Sequence, residues 1–237
     1  GISSGASFTA VIITAFAPTL YFFTPIAAFA GGVIAFFMVY CLSWKGGLSP
    51  MRIILTGVAV NSLFTGLSSA LNSMSGGNRT GVAAIVEANI TQKTWDDVMT
   101  LLPYVIAGLF LAMLFTQECN LLSLEDKTAR SLGVNVNVTR IVISLVAVLL
   151  ASISTAVAGA ISFLGLIVPH IGRILVGSDH KMLLPFSAIS GAFTFLLADT
   201  IGRTIAAPNE VSAAVIMSVV GGPFFILLLR RAGKYGK

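Results

Sequence analysis

An all-α, polytopic membrane bundle is the fold class expected of these 237 residues. Hydrophobic residues make up 56% of the chain and charged ones 10%, and the mean hydropathy is +0.96, leaving a soluble domain too little polar surface to cover itself. The apolar residues come in runs of about 20, the length that crosses a hydrocarbon core. The basic residues cluster in the short connections between the runs, where membrane orientation places them, so the net charge of +5 points to a membrane rather than to nucleic acid.

Charges, Gly/Pro clusters and polar turns divide the chain into eight such runs, at 4–23, 25–44, 53–71, 95–116, 141–158, 161–177, 183–205 and 210–229. Tight reversals are expected at Thr24-Pro25 and near Ala158–Ala160. The long segment 72–94 holds a short apolar piece, Gly81–Val86, too short to span. It is expected to be re-entrant or interfacial, its backbone satisfied by surrounding protein. The whole chain, 1–237, reads as a single transmembrane domain, with 117–140 as a region of its own inside it.

Orientation follows from the basic residues. Lys45, Arg52, Lys127, Arg130, Arg140, Arg173, Lys181, Arg230, Arg231, Lys234 and Lys237 fall on one side; Arg79, Lys93 and Arg203 fall on the other. The richer side is cytoplasmic, which puts the 117–140 loop and the C-terminus inside. The chain starts at Gly1 within an apolar run, with no Met or charged leader, as a piece of a longer protein would. Cys41 and Cys119 stand at the ends of separate runs without metal or disulfide spacing and read as packing residues.

The 117–140 loop is built like a bounded surface helix. Ser123 and Asp126 have capping-box spacing, Asp126 and Arg130 form an i,i+4 pair, and Gly133 can supply the left-handed residue that ends a helix. Leu121, Leu124, Ala129, Leu132 and Val134 add apolar positions that suit either a docking surface or a cap on the bundle. In Gly165-Leu-Ile-Val-Pro169-His170-Ile-Gly-Arg173 a proline interrupts an apolar run. The run is then a kinked helix carrying His170 and Arg173 to the cytoplasmic face, or one in which His170 is a buried, hydrogen-bonded histidine.

Asp199 is an intramembrane carboxylate, and Arg203 lies four residues on, so an internal ion pair near the outer end is expected, with Arg203 also open to a soluble partner. Asn61, Ser62, Thr65, Ser68 and Ser69 form a polar set inside one run, for packing or for lining a path. Ser152, Ala156 and Ala160 have the spacing of a close helix crossing. No P-loop and no metal-ligand cluster occurs, so no catalytic residue, metal or bound cofactor is expected.

Several motifs in order resemble the FecCD-type permeases, membrane subunits of ABC importers for iron-siderophore complexes, haem and vitamin B12. They are Gly1-Ile-Ser-Ser-Gly5-Ala-Ser, Leu55-Thr-Gly57-Val-Ala-Val-Asn61, Trp95-Asp-Asp97, Leu122-Ser-Leu with Ala129-Arg130-Ser-Leu-Gly133-Val134, Gly165-Leu-Ile-Val-Pro169-His170, Asp179-His180, Leu184-Pro185, Leu197-Ala-Asp199 and Gly222-Pro223-Phe224-Phe225. The resemblance implies a ten-helix subunit of which these runs are the third to the tenth, paired with a second permease subunit in the bacterial cytoplasmic membrane.

It also implies that a helix over 122–134, through Leu122, Leu124, Glu125, Ala129, Arg130, Leu132 and Gly133, couples to a cytoplasmic ABC ATPase that holds ATP and Mg. Ser49 and Pro50 match the cytoplasmic gate, although Pro50 replaces a small polar residue seen in some relatives. Of the polar set read from the run itself, Asn61, Thr65 and Ser68 are the candidates for lining the pathway, with packing the first reading. Arg203 would meet an extracytoplasmic substrate-binding protein. The function implied is passage of an iron-siderophore or related iron complex, with haem or vitamin B12 as the alternative cargo. An ion-coupled secondary transporter using Asp199 is the reading from another class; an intramembrane enzyme lacks a nucleophile and base.

Overall fold

The computed structural model describes residues 1–44, 50–74, 80–91, 93–205, 207 and 209–232. Among these the secondary structure is helical: α1 (Ile2–Phe16), α2 (Thr24–Ser43), α3 (Pro50–Met74), α4 (Thr80–Val86), α5 (Trp95–Leu114), α6 (Thr116–Leu122), α7 (Asp126–Ser131), α8 (Val136–Ala158), α9 (Leu164–Val176), α10 (His180–Ile205) and α11 (Ala213–Ala232). Each of the eight predicted runs finds a helix. α2, α3, α5, α8 and α10 are long and apolar enough to cross a membrane, and α1, α9 and α11 are shorter apolar helices.

The ends move for local reasons. Run 4–23 is not one helix: α1 stops at Phe16, and Pro18–Phe23 form a 3-10 turn. Pro18 has no N–H to give and drives the residue before it out of the helical region, and Ala17 accordingly sits at φ −137°. The reversal is therefore this turn, while Pro25 lies in the first turn of α2, where its missing N–H costs nothing. α8 starts at Val136, ahead of the expected 141, because the Asn135 side chain accepts the Val138 N–H at 3.4 Å and caps it.

The chain divides into two compact units. The first, Gly1–Phe115 with Glu125–Ala160, is organised around α1, which packs on α2, α3, α4 and α8. Small residues set the approach. A Cβ on Gly5 would stand 2.6 Å from the Ala35 Cβ and 2.8 Å from the Gly31 carbonyl oxygen, and one on Gly32 would collide with the Ser152 hydroxyl. Such contacts replace the hydrophobic drive that lipid cannot supply. Ser152 and Ala156 are buried on α8 as the spacing suggested; Ala160 is exposed beyond the helix end. α4 is the short piece expected in 72–94, and Val82 and Ile85 join Ala6, Ala10, Val11 and Ala156 in the core. α5 lies along α8 with Gly108 against Leu150, and its first turn is closed by the Thr94 N–H donating to Asp97 Oδ2 at 2.8 Å.

The second unit, Thr116–Leu124 with Ile161–Lys237, contains α6, α9, α10 and α11. Ile167, Ala198, Ala213 and Met217 form its core. α9 and α10 meet at Gly172, where a Cβ would stand 2.9 Å from Leu183. Past the end of α10 the chain folds back so that the Val211 N–H reaches the Gly202 carbonyl at 3.1 Å.

Candidate functional site

The surface helix of the 117–140 region is shorter than the sequence suggested. The proposed 122–134 helix is α7 alone, six residues long, and Leu122 belongs to α6. Ser123 does not cap α7: its hydroxyl donates back to the Asn120 carbonyl at 2.6 Å and finishes the last turn of α6. Nor does Asp126 pair with Arg130. It pairs with Arg140 of α8 at 3.0 Å, because the chain reverses after α7 and returns the start of α8 to it.

That reversal is a Schellman motif. Gly133 sits at φ +83°, the Gly133 N–H donates to the Arg130 carbonyl at 3.0 Å, and the Val134 N–H donates to the Ala129 carbonyl at 3.2 Å. Ala129 is buried, so it anchors the helix rather than offering contact. Glu125, Arg130 and Gly133 are exposed, with Leu124 and Leu132 exposed at 44% and 60%, an apolar and charged surface on a helix held at both ends. Leu122 is half-buried.

In the second unit, Asn120 on the last turn of α6 reaches the start of α10. Its Nδ2 donates to Asp179 Oδ1 at 2.8 Å, and its Oδ1 accepts the His180 backbone N–H at 2.9 Å and faces the His180 ring Nδ1 at 2.6 Å. Asp179 also takes the Lys181 N–H at 3.0 Å, so it caps α10. The hydrogen bond from Asn120, then the one from the Lys181 backbone, hold the Asp179 carboxyl below its ordinary value. Sequence reasoning passed over Asn120 because its partners lie 59 and 60 residues away and nothing near it marks it.

Arg203 and Asp199 form the expected pair, Nε to Oδ2 at 2.7 Å, with the Arg203 side chain 41% exposed and that of Asp199 16%. His170 is half-buried, and its contact is aromatic rather than a hydrogen bond: the ring meets Phe224 edge-on at 6.2 Å between centroids. On α3, Asn61 and Thr65 are exposed, but Ser68 is buried and its hydroxyl returns to the Phe64 carbonyl at 2.9 Å. Ser68 thus belongs to the packed stripe with Val60 and Phe64, beside the polar stripe and not on it. Ser49 lies outside the described residues; Pro50 opens α3. Cys41 is exposed on α2 rather than packed inside, and Cys119 is half-buried. Among the described residues no group of three or more His, Cys, Asp or Glu is placed to hold a metal ion.

Comparison with known proteins closes the question of family. Residues 1–231 match the model of the FecCD transport family. The chain is 38% identical over 229 residues to the "Probable heme-iron transport system permease protein IsdF" of Staphylococcus aureus, in strains Newman and USA300 among others, over 97% of this chain and 69% of that protein. Its fold superposes with a TM-score of 0.78, at 26% identity and over 98% of this chain and 74% of the other, on an inward-facing conformation of a transporter assigned to the metal-chelate ABC type. The apolar helices, the motif order and these matches agree: the chain belongs to the FecCD transport family and is a multi-pass membrane permease of the ABC importer type.

Proposed function

We propose that this permease passes an iron chelate inward across the cytoplasmic membrane, driven by ATP hydrolysed on a separate ABC ATPase and supplied by an extracytoplasmic binding protein. The observation that carries the coupling role is α7, a helix fixed by a Schellman end and by the Asp126–Arg140 pair, with Leu124, Arg130 and Leu132 left exposed. A helix anchored in this way transmits force as a body, which a two-state switch between outward and inward openings requires.

Asn61 and Thr65, both exposed on α3, are uncharged. Such side chains suit a cargo whose metal is already coordinated and which must leave as readily as it enters. Haem is the first cargo to test, on the 38% identity to a protein named as a heme-iron permease; a ferric siderophore is the second and vitamin B12 the third. A second permease subunit would complete the path, Ser49 and Pro50 would stand at its cytoplasmic gate, and Arg203 would meet a carboxylate of the binding protein. ATP and Mg would sit on the ATPase and not on this chain, and the C-terminus would be cytoplasmic.

Proteoliposomes holding the permease with its ATPase and binding protein test this directly. ATP-dependent uptake of haem is the expected result, and assembled complexes that import neither haem nor a ferric siderophore, or vitamin B12 alone, overturn it. The secondary-transporter reading is weakened by the Asp199–Arg203 pair, which already satisfies the carboxylate a proton would need; uptake without an ATPase would revive it.

A further inference from the structure

Asn120 makes contacts that the proposed docking surface does not explain. Its carbonyl is held by Ser123, and its side chain engages two successive residues at the start of α10, as donor to Asp179 and as acceptor from His180. A primary amide suits this position because it carries a donor and an acceptor on one rigid plane. An alanine has neither, and an aspartate offers only acceptors and would face the Asp179 carboxylate. Asp179 in turn is committed to α10: its side chain takes the Lys181 N–H and its carbonyl takes those of Met182 and Leu183.

These bonds join the first turn of α10 to a segment that ends only residues 123–125 short of α7. α10 is 26 residues long, so at 1.5 Å per residue it is a rod of about 39 Å, and it carries the Asp199–Arg203 pair near its other end. We infer that Asn120 is a positioning residue for transport: it fastens the end of α6 to the first turn of α10, so that a displacement imposed on α7 by the ATPase is passed into α10 rather than absorbed in the connecting loop. The inference rests on the docking role proposed for α7.

The test measures cargo uptake and ATP hydrolysis in the same proteoliposomes, holding the permease, its ATPase and its binding protein. The cargo is haem or a ferric hydroxamate siderophore, whichever the unaltered permease imports. Asn120→Ala should keep the ATPase bound yet lower the cargo moved per ATP hydrolysed by about tenfold, the scale of one or two lost hydrogen bonds. Asn120→Asp should do the same through repulsion. Combining Asn120→Asp with Asp179→Asn exchanges donor and acceptor across the same contact and should bring the ratio back to within about twofold of the unaltered protein.

An unchanged ratio in Asn120→Ala overturns the inference. So does a loss of assembly and uptake in proportion, with the ratio intact, because that is what a purely structural tie predicts; so does an exchange pair that assembles without restoring the ratio. Failure of the unaltered permease to bind an ATPase or import either cargo instead defeats the proposed function, and the inference with it.

Discussion

Gly133 occupies the left-handed region, and nothing lies within 4 Å of where its Cβ would be. Gly133→Ala therefore tests backbone strain alone. It should cost about 1 kcal/mol and lower the melting temperature in detergent without a steric clash. The position was legible in the sequence because a helix end is a local event. Asp179 carries a different signature. Its folded pKa lies below the ordinary 3.8, so the stability it contributes is fully present above that value and is lost as pH falls through the lowered one. The melting-temperature gap between the unaltered protein and Asp179→Asn should be constant near neutrality and close only in acid, below about pH 3.8. At the far end of α10, Arg203→Glu should weaken binding-protein association while ATPase co-purification persists, measured by pull-down of each partner from the same preparation.

At the scale of helices, the close approach of α1, α2 and α8 is a contact sensitive to volume. A Cβ on Gly31 would collide with the Thr9 hydroxyl, so Gly31→Val must push α1 and α2 apart. The expected cost is on the order of 2 kcal/mol, seen as a lower yield of folded protein and a lower melting temperature. α7 is sensitive to chemistry rather than volume. Arg130→Glu with Leu132→Asp changes only exposed side chains, so the helix should remain and ATPase binding should fall, with binding-protein association preserved. The apolar spacing located the membrane helices within a few residues. It misjudged those ends decided by single side chains, at Pro18 and Asn135, and it assigned Asp126 to the wrong arginine. Partner choice between Arg130 and Arg140 depends on how the chain turns after Gly133, which periodicity does not encode.

For the whole molecule, charge patterning makes a definite statement about orientation. In a variant with Cys41 and Cys119 replaced by Ser, Lys127→Cys should react with a membrane-impermeant maleimide only from the cytoplasmic face, and Arg203→Cys only from the outside. The reverse pattern would invert every partner assignment.

Composition and run length alone settled the helical membrane class, because the bilayer imposes a length and an apolarity that no packing detail can relax. Motif order further pointed to the family. The Asp199–Arg203 pair was also legible, since four residues on one helix make neighbours whatever surrounds them. Tertiary structure alone decided that Ser68 turns to its own backbone, that Ala129 is buried, that His170 meets Phe224, and that Asn120 grips the start of α10. Those outcomes rest on contacts between segments distant in sequence or on which face of a helix is covered. Each is set by the packing of whole helices, a quantity no local window of residues contains.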